Sequence, residues 1–179
     1  MSIWALEVDS GSMHKKSHAR VCLGHFIVHG YEPPDKASKL KGATEPQMLE
    51  VTDTSVQHTL STSEHMGAVV DQLLPQPLRW RLAWQDPHFK PPLYVWRAVP
   101  PGAQFVSLGM VATTTEEPPP LTSVSCLPRR WCQYETDSPK PLWSNSGQGS
   151  RAGSFWTSGP QLACLVAMQT LDEPQPDMR

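Results

Sequence analysis

The chain has 179 residues, 15 basic and 17 acidic side chains, a net charge of -2 and a hydrophobic fraction of 39%. Its longest apolar run, 162–168, is far short of the roughly 20 residues that a bilayer-spanning helix needs, and the balanced charge excludes the clustered cations of a nucleic-acid binder. Nineteen prolines and eleven glycines describe a loop-rich chain, while seven tryptophans give it large side chains to bury.

The first residues, Met1 to Glu7, lack the basic stretch and apolar core of a secretory signal, so a cytoplasmic chain is expected. Cys22, Cys126, Cys132 and Cys164 are too scattered for a disulfide framework and are read as reduced thiols. Short runs of β-branched and aromatic residues bounded by turn chemistry predict strands over 3–8, 21–29, 78–84, 93–99, 105–113, 123–127 and 162–168. Alternation within the third of these places Leu78, Trp80, Leu82 and Trp84 on one face and Arg79 and Arg81 on the other. The stretch 53–75 begins polar and then runs from Met66 to Leu74 as the one segment that predicts a helix, read as an insertion.

The two halves repeat one another. An offset of 85 pairs Val21 with Val106, Leu23 with Leu108, Gly24 with Gly109, Glu32 with Glu117, Pro33 with Pro118 and Pro34 with Pro119, six identities within fourteen positions. Ile3-Trp4 matches Val95-Trp96 ahead of the Leu-Gly strand, and Trp84 precedes Trp96 much as Trp143 precedes Trp156. The interval from Leu-Gly to the next such tryptophan is longer in the first copy, and the excess coincides with 53–75. The expected fold is therefore all-β, two tandem repeats in a sandwich-like or β-prism-like module, the first over 1–86 with its insertion and the second over 87–179. A unit of this size does not bury its own face and stacks on a neighbour, so the chain is expected to be a piece of a longer array.

The ordered set Val95-Trp96-Arg97, Pro100-Pro101-Gly102, Ser107-Leu108-Gly109 and Trp143-Ser144-Asn145-Ser146-Gly147, with Gly30-Tyr31-Glu32-Pro33-Pro34 in the first half, resembles the β-rich repeats of the vacuolar protein sorting-associated protein 62 family. Similar repeats occur in vacuolar protein sorting-associated protein 13-like lipid transfer proteins. Ala103-Gln104 after Pro-Pro-Gly and Met110 and His25 after Leu-Gly depart from the pattern. The resemblance implies a non-catalytic module, peripheral on organelle membranes at a membrane contact site, that binds an adaptor protein or peptide and so recruits a bridge-like lipid transfer protein. Trp96, Arg97 and Asn145 are the partner-binding candidates it implies.

A second reading is a peripheral membrane-binding β module. Arg129, Arg130 and Trp131 form a basic-aromatic tip of the kind that sits at an anionic lipid membrane. A third is a metal-binding or enzymatic protein: His14, His18, Cys22, His25 and His29 follow at helical steps and are suitable zinc or copper ligands. The strand predicted over the same residues turns Cys22 away from His25 and His29, which leaves those two on a polar sheet face. Cys132 beside the two arginines invites a lowered pKa, yet no positioned base accompanies it. The glycines of 147–153 lack the strand before and helix after them that a phosphate loop needs. No catalytic residue, metal or cofactor is assigned.

Overall fold

The computed structural model describes residues 1–5, 18–31, 49–54, 63–133, 140–145, 152–158, 164–172 and 174. Its elements in chain order are β1 (Ser2–Trp4), β2 (His18–Val21), β3 (Phe26–Val28), β4 (Leu49–Thr52), α1 (Ser63–Leu73), β5 (Arg79–Asp86), β6 (Leu93–Val99), β7 (Phe105–Val106), β8 (Met110–Thr113), β9 (Leu127–Pro128), β10 (Lys140–Ser144), β11 (Ser154–Ser158) and β12 (Cys164–Met168). All-β character is thus established, with α1 the one α-helix among the described residues, inside the stretch where the sequence predicts it. Among the described residues every strand pairing is antiparallel: β1-β3-β12-β11-β10 form one sheet, β5-β6-β8 a second, and β2-β4 and β7-β9 are two short ribbons.

β5 shows why these residues make strands. Trp80 and Leu82 turn inward while Arg79 and Arg81 are exposed, the alternation of a half-buried ribbon. Leu78 departs from the expected face: it is 64% exposed, ahead of the strand, with its N–H donating to Val99 O at 2.9 Å. The register slips between Leu82, opposite Trp96, and Trp84, opposite Val95, so Ala83 is the extra residue of a bulge. β10 and β11 repeat this arrangement, with Pro141 opposite Trp156, Trp143 opposite Phe155 and Leu142 between them.

Two expected strands, 21–29 and 105–113, are each broken in two at Leu-Gly. At the break the chain leaves its ladder and bonds to the other half. The Gly109 N–H donates to Leu23 O at 3.0 Å and the His25 N–H to Met110 O at 2.9 Å. A Cβ on Gly24, whose φ is +145°, would lie 2.6 Å from Gly109 Cα, so neither backbone could come this close with a side chain between them. β12 joins the same seam: the Leu165 N–H donates to His25 O at 2.9 Å, and a Cβ on Gly109 would lie 3.1 Å from Cys164 Cβ.

The segment expected as a strand over 123–127 is a correction. Leu121–Ser123 form a short 3-10 turn and only Leu127 enters a ladder. The Ser125 and Cys126 N–H groups donate instead to Cys22 O at 3.0 Å and Pro75 O at 2.8 Å, so this stretch ties loops together rather than extending a sheet.

Trp84, Val95, Phe155, Leu165 and Ile27 form the main core between the two larger sheets. Trp84 meets Phe155 and Trp143 edge-on at centroid distances of 4.9 and 5.8 Å, the favoured aromatic geometry. A second cluster, Val21, Leu23, Leu74 and Leu127, seats the end of α1 on the short ribbons. The turn between β5 and β6 contains the 86/87 boundary, where the Asp86 carboxylate accepts the His88 N–H at 2.9 Å.

Candidate functional site

Trp96 and Arg97 are held by β6 at the middle of a three-stranded sheet. Trp96 is buried, and its indole N–H donates to Thr113 Oγ1 at 2.9 Å across the sheet. Arg97 is half-buried, with Arg81 on β5 and Met110 on β8 as its register partners. Asn145 follows β10 and is tied to the start of β11: its Oδ1 accepts the Gly153 N–H at 2.8 Å and its own N–H donates to Gly153 O at 3.1 Å. That clamp positions Gly153 against the Trp84 indole, where a Cβ would collide with Trp84 Nε1. Trp96 thus packs within its sheet and Asn145 closes a turn, while Arg97 stays half-buried on β6.

The basic-aromatic tip is a different environment. Pro128 leads into a 3-10 turn over Arg129–Trp131 in which all three side chains are exposed, Trp131 by 49%. Arg129 is anchored by its Nε–H donating to Ala103 O at 3.0 Å and by its N–H donating to Gln104 O at 2.7 Å. Arg130 and Trp131 therefore project from a turn whose backbone is fixed against the loop after Pro-Pro-Gly.

Cys132, behind that tip, corrects an expectation. Burial pushes its thiol up, and the Arg129 cation only partly opposes this, because Cys132 packs under the cluster around Leu127. Burial also raises Cys22, whose Sγ donates to Gly24 O at 3.5 Å, and takes Cys126 to about 11. These three thiols are protonated at neutral pH and are therefore poor nucleophiles.

The histidine series does not form a row. His14 lies outside the described residues, His18 is on β2, Cys22 packs against Ala98, Val111 and Val124, and His29 is exposed beyond β3. His25 corrects the polar-face reading: it sits in the break between β2 and β3, turned into the molecule, and its Nδ1 accepts the Ala112 N–H at 3.2 Å. Burial lowers its pKa from 6.5 to about 4, so it is neutral near pH 7 and can accept that bond. Among the described residues no group of three or more His, Cys, Asp or Glu side chains could hold a metal ion. The residues 147–151 lie outside the described set.

Sequence reasoning missed what surrounds His25. His25, Met110 and Leu165 are linked through backbone bonds, and Gly24, Gly109 and Cys164 converge beside them. The offset of 85 pairs the first two members of each trio, but Cys164-Leu165 shares no residue with Gly24-His25 or Gly109-Met110 and gave no signal. No helix among the described residues is long and apolar enough to cross a membrane. Comparison of the chain with family models, with curated proteins and with solved structures finds no match.

Proposed function

We propose that this chain is a non-catalytic protein-interaction module of the kind found in vacuolar protein sorting-associated protein 62 and 13-like proteins, which recruits a lipid transfer protein to an organelle membrane through an adaptor. The observation that carries the reading is the seam. The Leu-Gly elements on which the resemblance rests lie against each other at the centre of the fold, so the motif has a packing role for both copies at once. The module is prism-like, and three strand pairs build it: β1 with β3, β6 with β8, and β11 with β12. In support, Trp4, Trp96 and Trp156 occupy one register position, opposite Phe26, Val111 and Val166. The two Leu-Gly repeats are then the first two members of a set whose third member ends in Cys164-Leu165.

The test is membrane recruitment. The tagged full chain, incubated with isolated organelle membranes, is expected to sediment with them, to lose that binding when the membranes are first treated with trypsin, and to ignore protein-free phosphatidylcholine and phosphatidylserine vesicles. Trypsin-insensitive binding overturns it. The exposure of Trp131 beside Arg129 and Arg130 favours a second reading, direct contact with anionic lipid. That reading requires flotation with phosphatidylserine vesicles that falls several-fold in Trp131→Ala.

A further inference from the structure

The chain's net charge of -2 conceals a local excess of cations on the sheet of β5, β6 and β8. Arg81 on β5 stands directly opposite Arg97 on β6, and Arg79 lies two residues from Arg81 on the same face. Like charges set directly opposite in an antiparallel pair repel and cost stability. Val95, two residues before Arg97, belongs to the main core, so the arginines begin where that face leaves the core: Arg97 is half-buried, and Arg79 and Arg81 are exposed. The fold does not require the pair. β10 and β11 repeat the register, with Pro141 opposite Trp156 as Leu82 is opposite Trp96, and at the next position they set Lys140 opposite Thr157, one cation where β5 and β6 have two. Among the described residues no carboxylate pairs with any of the three arginines.

We propose that Arg79, Arg81 and Arg97 form a docking face for an acidic segment of a partner protein, extended, with carboxylates at alternate positions. This rests on the interaction-module reading and gives the partner its charge. Alternate residues of an extended chain are about 7 Å apart, which is also the spacing of Arg79 and Arg81 along β5, so two carboxylates of such a segment reach both at once. A carboxylate between Arg81 and Arg97 accepts from both guanidinium groups and converts their repulsion into charge-assisted hydrogen bonds. The chain's own acidic runs are held elsewhere. Its acidic residues adjoin at Glu116-Glu117 and Asp172-Glu173. Both pairs follow strands that lead away from the seam, β8 from Met110 to Thr113 and β12 from Leu165 to Met168, whereas Arg97 is opposite Met110 at the seam itself. An anionic membrane suits the face less. It takes up aromatic rings together with cations, and Trp80, Trp84, Tyr94 and Trp96, the rings of β5 and β6, are buried or half-buried.

The test uses the full chain and a fluorescein-labelled peptide, Glu-Thr-Glu-Thr-Glu, with Gln-Thr-Gln-Thr-Gln as its neutral counterpart. Fluorescence anisotropy is expected to show the acidic peptide bound and the neutral one unbound. Arg81→Gln should weaken binding about tenfold, as loss of a charged anchor does, and Arg81→Lys should lie between, because an ammonium lacks the planar fork. Arg81 is exposed, so both variants keep the fold. Thermal unfolding of the free chain adds an independent sign. Arg81→Gln relieves the repulsion and should raise Tm by about 1–2 °C at low salt, a gain that disappears in about 0.5 M NaCl. A lower Tm overturns the proposal, because it assigns the face to a carboxylate of the chain itself. Equal affinity in Arg81→Gln also overturns it, as does equal competition by inorganic phosphate, which makes the face a site for any anion. Phosphatidylserine vesicles that bind the chain and release it in Arg81→Gln overturn it by giving the face to a membrane. Trypsin-sensitive membrane recruitment that persists in Arg81→Gln removes this face alone and leaves the interaction-module reading in place. Peptide binding without any recruitment of the unaltered chain removes that reading and keeps the face.

Discussion

Trp4 and Trp156 have the same local chemistry and different surroundings. Each follows a serine by two residues and donates its indole N–H to that serine's Oγ, at 2.7 Å for Trp4 and 2.8 Å for Trp156. Each faces an apolar residue on the next strand, Phe26 or Val166. Yet Trp156 is buried in the middle of a sheet and Trp4 is half-buried at an end. The dipeptide spacing orients the ring, and the number of neighbouring strands decides how much water it loses.

That comparison breaks if the two tryptophans are energetically alike. Trp156→Ala is expected to cost about 4 kcal/mol, the range for emptying a packed aromatic site, and Trp4→Ala about 2 kcal/mol, since its ring is only partly buried. Urea unfolding of both variants checks this. Equal losses would mean that Trp4 is covered in solution as fully as Trp156.

The seam sharpens the contrast between centre and margin. Gly24→Ala combines a positive φ with a Cβ 2.6 Å from Gly109 Cα, and rigid backbone on both sides leaves little room to adjust. A loss of about 3 kcal/mol is expected from strain and overpacking together. Gly30→Ala has φ +96° but open space around it, so it should lose only about 1 kcal/mol, the strain alone. A thermal scan of the pair separates close approach from backbone conformation; similar losses would show that the contact between the halves contributes nothing.

His25 extends the same test to pH. Its folded pKa, about 4, lies below the ordinary value of 6.5, because burial disfavours the cation. Between those values the unfolded chain binds more protons than the folded one, so stability rises with pH through the window. The contribution is fully present above about pH 6.5 and is lost as pH falls toward 4, a change on the order of 2 kcal/mol after allowance for partial solvent access. His25→Gln, which keeps an acceptor for the Ala112 N–H, should flatten that slope in urea titrations between pH 4 and 7. An unchanged slope would assign it to the carboxylates.

The strands with dense β-branched and aromatic content were legible. The range 93–99 coincides with β6, and 162–168 contains β12. β10 lies outside the strands that the sequence predicts; its Pro141 weakens the strand signal and is tolerated because β10 ends its sheet among the described residues. Nor was β4 read, since Leu49-Glu50-Val51-Thr52 is half polar and pairs β2 with only its apolar residues turned in. The breaks at Gly24 and Gly109 were beyond local reasoning. Each segment is a good strand by composition, and only the partner segment, distant in sequence, takes its hydrogen bonds away. The candidate residues divide in the same manner. Trp131 is exposed at a turn, as its Pro-Arg-Arg context suggests, whereas the burial of Trp96 depends on β5 and β8.

The smallest expected effect lies at the tip. Arg129 is tied by hydrogen bonds to Ala103 and Gln104, while Trp131 is half-exposed at the end of the same turn. Removing an exposed ring that caps nothing should change stability by less than about 0.5 kcal/mol. Removing the Arg129 side chain should cost about 1 kcal/mol, the net worth of a hydrogen bond made by a charged group near the surface. Trp131→Ala and Arg129→Ala compared by urea unfolding therefore order the tip by anchoring rather than by ring size. If Trp131→Ala were the more costly, the ring would be packed in solution, and the membrane reading that depends on its exposure would lose its basis.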